Sequence, residues 1–163
     1  MIGLPKSTEE KEIYTINECI KLKPDVIRIY PVYVLKESKL YEMYETKEYK
    51  ALSLDEALKR TMEVYNICVE NKLNVIRIGL QTTEEINSKN CDIKGPVCDN
   101  YKERVLSLMA KNIVLEKIKK AKKGRKLTIN SNEKEINYVV GQKHENIKEY
   151  EKEYKGPVLV KMK

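Results

Sequence analysis

Apolar residues at helical spacing alternate along this chain with short runs rich in β-branched side chains. Ile13, Ile16 and Ile20 fall on one helical face, preceded by Ser7 and Glu10, the residue types of a capping box. Pro24 ends that helix, and the run Asp25 to Pro31 predicts a buried strand. A second capping box, Ser53 and Glu56, opens a helix with the apolar stripe Leu54, Leu58, Met62, Tyr65 and Val69. Asn74 to Gln81 predicts another strand, with Ile76 and Ile78 on one face and Arg77 and Gln81 on the other. Val-Ile-Arg-Ile thus occurs at 26–29 and again at 75–78, each time after a helix. Residues 1–4, closed by Gly3-Leu4-Pro5, read as the end of a further strand. Repeated strand–helix units imply parallel strands joined by right-handed crossovers.

The texture then changes. Residues 36–52 are polar and tyrosine-rich and predict a loop with a short helix; residues 82–100 predict a loop with Thr82, Thr83, Gly95 and Pro96. A third helix runs from Asn100 to Ala121 and ends in Lys119, Lys120, Lys122 and Lys123, with Gly124 as its stop before Arg125 and Lys126. Beyond it the pattern gives a strand at 126–130, a helix at 133–140, a loop at Gly141, a helix at 145–153 and a strand at 157–162. The expected fold class is α/β. Residues 1–100 form a parallel βα portion, 101–125 a basic linking helix, and 126–163 a small α+β module.

Composition changes this picture in three respects. Phe and Trp are absent, so eleven tyrosines join the aliphatic residues in the core, and a buried Tyr hydroxyl requires a partner. The net charge of +7 is uneven: residues 1–101 carry 15 basic and 17 acidic groups, residues 102–163 carry 17 and 8. A basic tail fits either a polyanionic partner or a solvated lysine-rich surface. Of the four cysteines, Cys19 and Cys68 sit at apolar helix positions as small hydrophobes, and the spacing of Cys91 and Cys98 fits no common metal motif. No apolar run reaches the roughly 18 residues of a membrane span, and the start lacks the basic segment of a signal peptide, so no membrane partner and a cytoplasmic location are expected.

Arginine at equivalent positions of two strands, Arg28 and Arg77, interrupts the apolar run that a helix-covered parallel sheet normally shows. Two explanations stand: a polar barrel interior open to ligand, or a structural salt bridge across the barrel. Ligands in such folds sit at the C-terminal strand ends, here Tyr30, Pro31, Gly79, Leu80 and Gln81.

Gly3 to Thr8, then Arg28-Ile29-Tyr30-Pro31, then Arg77 to Gln81, in that order, resemble the later half of a radical S-adenosylmethionine (SAM) domain. The resemblance covers residues 1–110 and has the flavour of elongator-catalytic-subunit-like proteins and oxygen-independent coproporphyrinogen III oxidase-like proteins. It implies the last strands and helices of a partial (βα) barrel. The parent enzyme would use S-adenosylmethionine and a [4Fe-4S] cluster on a Cys-x-x-x-Cys-x-x-Cys loop. That loop is absent from this sequence, and Lys6 stands where the family's Gly-Leu-Pro-Gly motif has its second glycine. The chain is therefore expected to be a non-catalytic C-terminal fragment of an oxidoreductase-type or RNA-modifying enzyme, with the missing N-terminal half of the barrel as a partner. By the same resemblance Tyr30, Pro31 and Val32 border the SAM pocket, and Arg28, Arg77 and Gln81 contact substrate.

Val139 to Lys148 is similar to the KH-domain loop Ile-Gly-x-x-Gly-x-x-Ile, which clamps a sugar-phosphate backbone. His144 replaces the second glycine. The resemblance implies RNA contact through Gly141, Gln142, Lys143 and His144, supported by Lys119, Lys122, Lys123 and Arg125; a purely structural tail is the alternative. A free-standing RNA-binding or interaction protein is thus the competing reading of the whole chain. Homo-oligomerisation through an open barrel edge at residues 1–4 is a third expectation.

Overall fold

The computed structural model describes residues 1–80, 93–121 and 126–162, in two compact units, 1–102 and 103–163. The first is built on α1 (Glu9–Lys21), β1 (Ile27–Ile29), α3 (Leu54–Glu70) and β3 (Val75–Ile78). β1 and β3 pair in parallel, and Ile2 forms a parallel bridge with Pro31. The Ile2 N–H donates to Tyr30 O at 2.8 Å, the Val32 N–H to Ile2 O at 2.9 Å, and the Gly79 N–H to Ile29 O at 2.9 Å. Three parallel segments therefore lie in the order Ile2, β1, β3, as the strand–helix repeat predicts. One face is covered by α1 and α3 through Ile2, Ile16, Ile29, Val64 and Cys68, with Cys19, Ile20, Ile27 and Val75 packed around them.

A smaller part of this unit holds β2 (Val34–Leu35), α2 (Lys39–Glu45) and β4 (Ile93–Lys94). β2 and β4 pair antiparallel. Two-residue strands carry no periodicity, so the sequence pattern does not show them. Val32, Val34 and Tyr49 form their core, against Leu40, Tyr41, Met43 and Tyr44.

Several sequence expectations are corrected. The α1 cap is Thr8, whose side chain accepts from the Lys11 N–H. Ser7 instead donates its hydroxyl to Glu12 at 3.1 Å. The Ser53–Glu56 box forms as predicted. The buried face of α3 is Ala57, Leu58, Thr61, Met62, Val64 and Cys68, while Val69 is exposed. The small Ala57 and Thr61 are fully buried on this face, which an apolar stripe does not reveal.

The largest correction concerns β3. Ile27 pairs with Val75, but Arg28 pairs with Arg77 and Ile29 with Ile78, so β3 contains one extra residue, Ile76. This bulge breaks the strict alternation. Ile78 is buried and Ile76 is 46% exposed, so the two do not share the core face.

The second unit contains most of α4 (Tyr101–Lys120), then β5 (Leu127–Ser131), α5 (Ile136–Val140), a 3-10 turn at Gln142–His144, α6 (Glu145–Tyr154) and β6 (Val158–Met162). β5 and β6 pair in parallel over all five residues, from Leu127 with Val158 to Ser131 with Met162. Val114, Ile118, Val139, Tyr150, Tyr154 and Val158 form its core. The helix expected at 133–140 starts only at Ile136, because Asn132 closes a turn by accepting the Glu135 N–H at 2.9 Å. Among the described residues no helix is long and apolar enough to cross a membrane.

Candidate functional site

The C-terminal ends of the three parallel segments are held by buried polar groups. Glu12 is 6% exposed. Its Oε1 accepts the Gly3 N–H at 2.7 Å and lies 3.6 Å from the Arg60 Nη1, an ion pair too long for a hydrogen bond. Glu12 Oε2 is buried with no hydrogen-bond partner. The Tyr49 hydroxyl donates to Gly3 O at 2.6 Å. Gly3 is thus gripped through both its N–H and its C=O. At the end of β3, Gly79 has φ +84, and a Cβ there would lie 2.9 Å from Tyr101 Cβ. Only glycine fits both that backbone and that contact. The Tyr101 hydroxyl and Thr61 Oγ1 are 2.9 Å apart in the interior.

Of the residues assigned to the SAM pocket by resemblance, Tyr30 is half-buried and Pro31 and Val32 are buried. Pro31 and Val32 belong to the packed interior and offer a ligand little side-chain surface. Sequence reasoning missed Glu12, Tyr49 and Tyr101. A signal for Glu12 existed, since it sits four residues before Ile16 on the face that Ile20 continues.

Arg28 and Arg77 are exposed, on the side of the sheet opposite Ile29 and Ile78. They therefore carry no burial cost, and no salt bridge holds either of them among the described residues. Their in-register pairing sets two like charges opposite each other, which works against the pairing. Val26 and Ile76, 48% and 46% exposed, lie beside them in sequence. Gln81 and Cys91 lie outside the described residues, as do Thr82 and Thr83.

Among the described residues the cysteines do not assemble a cluster site. Cys68 is buried in the α1–α3 core with Cys19 packed near it, and burial pushes its thiol up to about 11. Among the described residues no group of three or more His, Cys, Asp or Glu side chains is placed to hold a metal ion. A [4Fe-4S] cluster needs several converging thiolates, and Cys19, Cys68 and Cys98 do not supply them.

Burial raises the hydroxyls of Tyr33, Tyr49, Tyr101 and Tyr150 above the ordinary value of 10.0. A group whose folded pKa is raised contributes stability that is whole below the unfolded value and is lost as pH rises through the folded one. Alkaline titration should therefore show two stages of tyrosinate absorbance. The late stage should coincide with loss of helical circular dichroism. A single stage near pH 10, with helix intact, would contradict the buried positions of these four residues.

In the second unit the loop proposed to contact RNA has a fixed frame. Asn146, 2% exposed, donates to Tyr138 O at 2.9 Å and to Ser107 Oγ at 2.9 Å. Gly141 has φ +76, and a Cβ there would lie 2.7 Å from Asn146 Cγ. Gln142, Lys143 and His144 are exposed, with Lys143 at φ 49 and His144 at φ 63. His144 thus occupies a left-handed conformation that favours glycine. His144→Gly should raise the stability of this unit by up to about 1 kcal/mol, read as a shift of the urea midpoint. A lower midpoint would show that the imidazole contributes more than its backbone costs. Lys119 is paired with Glu116 at 2.8 Å. Lys122, Lys123 and Arg125 lie outside the described residues.

A family profile described as the radical SAM C-terminal domain matches residues 24–111, more than half of the chain. The match takes in β1, α2, α3, β3 and the start of α4. No curated protein and no solved structure matches the chain. Members of this family work in enzymes that use SAM and a [4Fe-4S] cluster. The ordered strand ends, the parallel β1–β3 pair and this match agree, and the chain belongs to the radical SAM C-terminal domain family.

Proposed function

We propose that this chain is one wall of a partial (βα) barrel in a radical SAM enzyme, acting in substrate and cofactor enclosure and not as the radical source. The observation that carries this reading is the side-by-side set of parallel strand ends at Gly3, Tyr30–Pro31 and Gly79, within and beside the family match. In the parent enzyme SAM and a [4Fe-4S] cluster held outside these residues would supply the radical chemistry. The residues of this chain contribute placement. Glu12 and Tyr49 fix the first strand end, the half-buried Tyr30 ring borders the cofactor beside Pro31 and Val32, and Arg28 and Arg77 face substrate. The family flavour suggests an oxidoreductase of coproporphyrinogen-oxidase type or an RNA-modifying enzyme. The open strand edge is proposed to pair with further barrel strands.

The test has two readouts on the purified chain. Anaerobic reconstitution with iron and sulfide should give no 5′-deoxyadenosine from SAM. S-adenosylhomocysteine binding, followed by calorimetry, should weaken about tenfold in Tyr30→Ala through loss of ring contact. Product formation would sink the assignment of a non-catalytic wall, and unchanged binding in the variant would remove Tyr30 from the cofactor seat.

A second reading concerns residues 103–163. The exposed Gly141–His144 loop, held open by Asn146, favours RNA backbone binding, with the basic composition of this region adding long-range attraction. Lys143→Glu should weaken binding of single-stranded RNA and flatten its salt dependence. Equal affinity in wild type and variant would leave the module a structural tail.

A further inference from the structure

The two arginines of the Val-Ile-Arg-Ile repeat stand side by side in the sheet: Arg28 pairs with Arg77 and Ile29 with Ile78, as their equivalent places in the repeat set them. The register shift lies just before them, where Ile27 pairs with Val75 and Ile76 is left over. Both arginines are exposed while Ile29 and Ile78 are buried, so the arginines lie on the face opposite the core that Ile29 shares with Ile16, Val64 and Cys68. The result is two arginines on neighbouring strands, whose backbones lie about 4.8 Å apart as in ordinary sheets. Both are exposed, and among the described residues no carboxylate pairs with either.

A like-charge pair in register works against the sheet that carries it. It is offset when a group with several acceptor oxygens takes a fork from each arginine, the geometry in which guanidinium recognition is strongest. A second copy of this chain does not meet that need. A two-fold contact through this face would set the arginines of one copy against those of the other, adding repulsion. The occupant must bring negative charge of its own.

We infer that Arg28 and Arg77 form an anion-binding site for the carboxylate or phosphate group of a substrate, on the open face of the β1–β3 pair. This inference rests on the reading of the chain as a barrel wall, and names the class of substrate that wall accepts. The neighbouring exposed Val26 and Ile76 give the site an apolar border, suited to an organic acid or phosphate ester more than to a free ion.

The test is calorimetric titration of the full chain at low salt with two probes, citrate and inorganic phosphate, against wild type, Arg28→Gln, Arg77→Gln and Lys161→Gln. Lys161 is an exposed basic residue of the second unit and controls for net charge. Binding of at least one probe is expected, weakened about tenfold or more by either arginine substitution and unaffected by Lys161→Gln. Preference for citrate marks a carboxylate substrate, and preference for phosphate a phosphorylated one. The thermal midpoint of either arginine variant should match or exceed wild type, since the repulsion is relieved; this separates lost binding from lost folding. No binding of either probe, or equal weakening by Lys161→Gln, overturns the site. Loss of S-adenosylhomocysteine binding in both arginine variants would assign the pair to the cofactor and overturn the substrate inference while leaving the barrel wall standing. Failure of both ligands in wild type would bring down the wall as well.

Discussion

Replacing Tyr150 by alanine should cost the second unit about 3–5 kcal/mol, the range for removing a large buried ring. Tyr150 is completely buried at the centre of the core made by α4, α5, α6 and β6, and its hydroxyl donates to Val139 O at 3.0 Å. The substitution removes the ring contacts and leaves that carbonyl without its partner. A unit of this size rarely has more than about 3–5 kcal/mol to lose, so the expected state is unfolded. Hydrogen exchange should show loss of protection along β5 and β6. Tyr150→Phe keeps the ring and should cost only about 1 kcal/mol. If Tyr150→Ala stays within about 1 kcal/mol of wild type, the core is not organised around this ring.

Glu12→Ala should destabilise the first unit by about 2–3 kcal/mol. Removing one partner of a buried ion pair typically costs about 3–5 kcal/mol. The figure is reduced here because Arg60 is 20% exposed and the pair is long. The loss combines the short bond from the Gly3 N–H with an Arg60 guanidinium left without this ion-pair partner. Glu12→Gln retains an acceptor for Gly3 and should recover about half of the loss. Urea unfolding of the two variants and wild type would measure this. Equal stability of Glu12→Ala and wild type would mean that Gly3 is fixed by Tyr49 alone. The consequence for function follows from position: Gly3 ends the strand segment that lies beside Tyr30 and Pro31.

The sequence by itself determined the order of the longer elements and the parallel pairing of β1 with β3. β-branched runs of strand length, each preceded by a helix with its own cap, leave a right-handed parallel arrangement as the consistent solution. The hydrophobic character of Cys19 and Cys68 and the α4 to β6 succession were legible in the same way, because each depends on local pattern. The family could also be read from three ordered strand ends, since those positions carry unusual residue types at strand termini.

Tertiary structure decided what local pattern does not encode. The bulge at Ile76 depends on how β3 meets β1, and it turns Ile76 away from the core face that Ile78 occupies. Glu12 is buried because Gly3 and Arg60, remote from one another in sequence, converge on one of its oxygens. Tyr101 is held against Gly79 and Thr61 by contacts that join the start of α4 to β3 and α3. A hydrophobic period states which side of an element faces inward. It does not state a register shift of one residue or a buried charge satisfied from afar, because those energies arise only when separate segments meet.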